Sequence, residues 1–168
     1  DYELWGGVVD NSDAQNILRY EYSVGGLRLA MSNSESDGAN GIGANYTHST
    51  GDMSINLGVG YETADAEDIT AFSIGMDMGN GFGVRAIMWS GEDAAGATTK
   101  DQTDLGIQYK TGDLTVAAAY MMNDVDNSDN YTVFGEYGLG AGVTAFGGVG
   151  TRGAAEASVA SFGVRFNF

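Results

Sequence analysis

From Ala160 to Phe168, apolar residues alternate with small or polar ones to the end of the chain. Ala160, Phe162, Val164, Phe166 and Phe168 carry one parity; Ser161, Gly163, Arg165 and Asn167 carry the other. A period of two predicts a β-strand with one apolar and one polar face. The same alternation recurs along the chain. Leu18, Tyr20, Tyr22 and Val24 share a face, and so do Met53, Ile55, Leu57, Val59 and Tyr61, then Leu114, Val116, Ala118, Tyr120 and Met122. It predicts eleven strands, at 17–24, 27–33, 41–49, 53–62, 69–78, 82–90, 103–110, 114–122, 131–139, 143–150 and 158–168. Residues 2–9 could add another. No segment carries a helical period.

The connections sort into two kinds. Short turns centred on glycine (Gly25-Gly26, Thr50-Gly51-Asp52, Gly79-Asn80-Gly81, Thr111-Gly112-Asp113, Gly140-Ala141-Gly142) alternate with longer polar or acidic loops, the longest expected at 91–102 and another at 123–130. A transmembrane antiparallel β-barrel has short turns at one rim and longer loops at the other. The all-β fold class expected is therefore such a barrel, as a single domain over 1–168. No apolar run approaches the roughly 20 residues of a membrane helix, a test that barrels escape because half of each strand faces water.

Composition narrows the partners. The 168 residues hold no Cys and no Pro, which excludes disulfides and suits a chain of paired strands. Seven Lys and Arg stand against 23 Asp and Glu, a formal charge of −16, which argues against nucleic acid. The charges follow the alternation. Arg19, Glu21, Arg28, Arg85, Lys110, Glu136 and Arg165 all oppose the apolar stripe and are the expected pore lining; Glu62, Asp77 and Asp104 share their parity. Lys100 and Arg152 are expected in loops. No Asp, Glu, Lys or Arg has lipid parity in any expected strand, which fits a penalty of about 2–4 kcal/mol for a basic residue at mid-membrane. Arg19, Arg28 and Arg165 are candidates for a basic wall facing acidic residues Asp1, Glu3 or Asp10 across a constriction.

Other chemistry is thin. His48 is the single His, expected at the interface, and supports neither a zinc site nor a triad, so no enzyme is expected. Asp124, Asp126 and Asp129 resemble the start of a calcium loop but lack its glycine and its final Glu. They are a weak metal candidate, and acidic external loops could hold calcium loosely. No other cofactor is expected. Trp5 and Trp89 are expected to pack or to sit in an aromatic girdle.

The strand count carries one more expectation. The first and last of eleven strands would run the same way, so a closed antiparallel barrel needs either a twelfth strand from residues 2–9 or further strands that a fragment beginning at Asp1 lacks.

Asn16-Ile17-Leu18-Arg19-Tyr20-Glu21-Tyr22-Ser23, the hairpin through Met31, Met53–Tyr61 after its Thr-Gly-Asp turn, Tyr131–Tyr137 and the terminal Phe-Gly-Val-Arg-Phe-Asn-Phe together resemble a bacterial outer-membrane general porin of the alphaproteobacterial type. The resemblance covers essentially the whole chain, as the C-terminal portion of a 16-stranded barrel. It implies that the eleven strands are the sixth to sixteenth and that residues 1–16 are the tail of the pore-constricting loop. It also implies passive diffusion of small hydrophilic solutes and ions, a homotrimer, contact with membrane lipid and lipopolysaccharide, and recognition of Phe166 and Phe168 by the outer-membrane assembly machinery. The rival is a complete 12-stranded outer-membrane barrel acting as a specific channel or an enzyme.

Overall fold

A computed structural model describes residues 17–34, 38–63, 67–152 and 157–167. Within them lie β1 (Ile17–Val24), β2 (Leu27–Ser34), β3 (Asn40–Thr50), β4 (Met53–Thr63), β5 (Glu67–Asp77), β6 (Phe82–Asp93), β7 (Thr98–Thr111), β8 (Leu114–Asn123), β9 (Ser128–Gly140), β10 (Val143–Arg152) and β11 (Ala157–Phe166). All eleven form one sheet in chain order, each antiparallel to the next, with β1 and β11 at its edges. The all-β expectation holds strand for strand. The possible strand at 2–9 lies outside the described residues.

The main corrections fall at one rim. Residues 91–102, expected as the longest loop, are mostly strand: β6 continues to Asp93 and β7 begins at Thr98. The 123–130 loop shrinks similarly between β8 and β9. Side chains there are polar on both faces, so the apolar alternation stops while the backbone ladder continues. Lys100, expected in a loop, is therefore a β7 residue, and Arg152 ends β10.

At the opposite rim glycine does two separate jobs. Gly25, Gly51 and Gly112 take φ values of +56°, +59° and +55°, the left-handed geometry that tight hairpins need. Gly26 instead permits close approach. Its carbonyl accepts the Thr47 N–H at 2.8 Å, and a Cβ there would land on the Thr47 carbonyl oxygen. Gly81 and Gly142 repeat this against Lys110 and Asn167.

The sheet is a wall one layer thick. Among the described residues only Ala30, Ala39, Ile69, Ala71 and Ala117 are buried apolar residues. The outer face exposes its large side chains, from Leu18 at 76% to Phe162 at 93%. Such a broad apolar face is stable only against an apolar surrounding. No helix among the described residues is long and apolar enough to cross a membrane.

Candidate functional site

Register places the charges together on the other, inner face. β1 carries Arg19 and Glu21, and their cross-strand partners on β2 are Ser32 and Ala30. Glu21 is the hub of a three-residue cluster: Arg19 Nε donates to its Oε1 at 2.6 Å, and Arg28 Nη2 donates to its Oε2 at 2.7 Å. All three side chains are partly exposed. Two guanidiniums on one carboxylate leave the cluster one unit positive.

Near the other edge Arg165 Nη2 donates to Glu136 Oε1 at 2.6 Å. Towards the far rim Lys100 Nζ pairs with Glu67 Oε1 at 3.0 Å, spanning β5 to β7. Arg85 lies mid-wall on β6, opposite Gly75 and Gly106. Lys110 lies on β7 opposite Thr115. The seven expected lining residues therefore share one face, but as separate groups: Arg19, Glu21 and Arg28 near one edge, Glu136 and Arg165 near the other.

Neutral polar groups fill the intervening wall. Asn45 and Asn56 exchange amide hydrogen bonds of 2.7 and 2.9 Å, and Asn56 also donates to Thr47 Oγ1 at 2.8 Å. Gln102 donates to Asp104 at 2.9 Å. A cavity of about 350 Å³ opens on this face, lined in part by Thr47, Asn56, Ser73, Arg85, Gln108 and Phe134. Small residues such as Gly75, Gly83, Gly106 and Ala117 make the hollow possible.

A family model described as Gram-negative porin matches residues 3–154. The chain belongs to the Gram-negative porins. Solved structures agree. Two engineered variants of Rhodopseudomonas blastica porin are 28% and 27% identical, each with a TM-score of 0.73, and a triple mutant of it is 26% identical with a TM-score of 0.75. Each alignment covers 90% of this chain and 55% of the other. The chain thus spans about half the length of these porins. No protein with a curated description matches it. The family is one of the bacterial outer membrane, so the apolar face of this porin is its lipid face and the charged face its lumen face.

The porin wall also contains features that the strand pattern did not reveal. Acidic residues do occur with lipid parity, in the added outer ends of strands. Asp68, Glu92, Asp101 and Asp129 share register rows with outward-facing neighbours. Two accept hydrogen bonds from tyrosines on the same face, Tyr61 to Asp68 at 3.1 Å and Tyr120 to Asp129 at 2.6 Å. These outer strand ends lie beyond the apolar belt, where a charge stays hydrated. Trp89, expected to pack or to join the girdle, pairs with Ala71 and Gln102 on the lumen face and so is no girdle residue. His48 has lipid parity next to the short-turn rim, stacked on Tyr46 with ring centroids 6.5 Å apart.

Asp124, Asp126 and Asp129 do not converge. Asp126 Oδ1 accepts from the N–H and hydroxyl of Ser128, while Asp129 faces Tyr120. Among the described residues no group of three or more His, Asp or Glu is arranged to hold a metal ion. Asp1, Glu3, Asp10 and Phe168 lie outside the described residues. Among the lumen residues that the alternation did not single out is Phe146, which pairs with Glu136 and Gly163.

Proposed function

We propose that the barrel to which this chain contributes is a water-filled channel for passive diffusion of small hydrophilic solutes and ions. The observation that carries this is the segregation of faces across eleven strands: an apolar belt outside, and a half-exposed charged and amide-rich wall inside. A polar inner wall lined by opposed charges admits water and biases which ions pass. Arg19, Arg28 and Arg165 supply the basic side, and Asp1, Glu3 or Asp10 would supply the acidic one. The parent protein is a homotrimer in this reading, set among membrane lipid and lipopolysaccharide. No catalytic step is assigned to it, and the rival 12-stranded barrel is not favoured by matches that extend well beyond this chain's length. Calcium held loosely by the acidic outer rim belongs to the same proposal. Reconstitution into planar bilayers should give stepwise conductance that scales with salt. Protein that inserts without opening any conductance would overturn the reading.

Phe166 and Phe168 form the assembly signal in this reading. Phe168→Ala should lower the yield of barrel in the outer membrane severalfold, while barrels already inserted conduct as the parent does. Normal assembly of that variant, scored by heat-modifiable migration, would leave Phe168 with lipid contact alone.

A further inference from the structure

Arg165 must cross a strand to reach its partner. Glu136 stands on β9 and Arg165 on β11, with β10 between them. Two strand spacings amount to about 9–10 Å, yet the guanidinium closes to 2.6 Å from the carboxylate. Phe146 lies beneath this bridge. Register puts it in one row with Glu136 on one side and Gly163 on the other. Arg165 Cζ is 5.7 Å from the centre of its ring, within reach of cation–π attraction. A Cβ on Gly163 would come within 2.7 Å of Phe146 Cζ, so it is the missing side chain that lets the ring extend over β11.

We propose that Phe146, seated on Gly163, is the positioning residue that holds Arg165 against Glu136 and so sets the ion preference of the lumen wall. This deepens the channel reading and rests on it. Asn45, Asn56, Ser73 and Gln108 make much of this face polar, whereas Phe146, like Phe134 and Trp89, puts a large ring on it and is itself 36% exposed on a wet wall. An exposed ion pair is weak because two long side chains must be ordered to form it. A fixed ring under the guanidinium reduces that cost. Held in this way, the cation and the carboxylate form a neutral pair close to the wall. Released, Arg165 would reach into the lumen as a mobile positive charge.

The sign of the effect separates positioning from mere packing. Reversal potentials in a salt gradient, measured on the porin carrying this sequence, give the anion-over-cation permeability ratio. Arg165→Gln should lower that ratio, by up to about fivefold for one charge lost beside the ion path. Phe146→Leu should raise it, because occupancy of the paired geometry falls by about two- to fivefold. Phe146→Tyr and Phe146→Trp should keep the parent's ratio. In the Arg165→Gln background, Phe146→Leu should change nothing further. If Phe146→Leu does not assemble, Gly163→Ala displaces the same ring and should shift the ratio in the same direction. A ratio unmoved by the ring variants, or moved equally without Arg165, would overturn the proposal. A parent protein that gives no conductance steps would instead count against the channel reading.

Discussion

At the residue scale, Glu21 orders more of the lumen wall than its single charge suggests. It receives Arg19 at 2.6 Å and Arg28 at 2.7 Å, so one carboxylate sets the direction of two cations. Neutralising it leaves two guanidiniums with no shared carboxylate, and the cluster's charge rises from one to two. Glu21→Gln should therefore raise the anion-over-cation permeability ratio, by up to about fivefold for one unit of charge in water. Little change in stability is expected, because exposed ion pairs contribute little. Reversal potentials and urea midpoints measured on the same protein separate the two effects. The charges of this cluster were legible from parity alone. Their pairing was not, because alternation says which face a residue takes and nothing about which neighbour its side chain reaches. Phe146 was hidden for a related reason. The lipid parity of β10 holds only small or β-branched residues, Val143, Ala145, Gly147, Val149 and Thr151, so the strand's largest apolar residue lies on its wet face.

At the element scale, the strands were legible where one face meets lipid and illegible where both faces meet water. β4, with Met53 to Tyr61 on one parity, was predicted to within a residue at each end. β7 was not, because Thr98 to Gln102 is polar on both parities. Its outer end is held by backbone pairing to β6, a property that residue type reports poorly. The turns were recognised through their glycines, but the division of labour within them was not. Gly25 is left-handed with open space around its Cα, whereas Gly26 abuts the Thr47 carbonyl. Gly25→Ala should cost about 1–2 kcal/mol, the penalty of placing a Cβ in a left-handed residue. Gly25→Asn should cost less, since Asn tolerates that geometry. Gly26→Ala should cost on the order of 3 kcal/mol, because the strand backbone must move to admit the methyl group. Urea unfolding from lipid vesicles should rank them in that order; equal midpoints would mean that the β1–β2 turn can give way freely.

At the scale of the molecule, one layer of backbone separates two solvents. A soluble domain hides its apolar residues between layers, whereas here the buried apolar set among the described residues is four alanines and one isoleucine, and most of the large residues face outward. Stability then depends on the outer medium, and the two parities of any strand should respond oppositely to the same substitution. β8 offers a matched pair. Ala118 pairs with Ile107 and Val133 on the lipid face, and Ala119 pairs with Gly106 and Thr132 on the lumen face. The two share residue type, strand and depth to within one position, and neither is fully buried or fully exposed. Ala118→Arg should destabilise the barrel in vesicles by about 2–4 kcal/mol, the cost of a basic residue facing the membrane midplane. Ala119→Arg should leave the urea midpoint within about 0.5 kcal/mol of the parent, as for a solvated surface site. It should reduce single-channel conductance, because the added side chain occupies water-filled space. Moving the protein into a thinner bilayer should shrink the first penalty, since the charge can then reach the headgroups, and leave the second unchanged. If both arginines proved equally costly, the inner face would be packed rather than wet, and the two-solvent account of this sheet would fail.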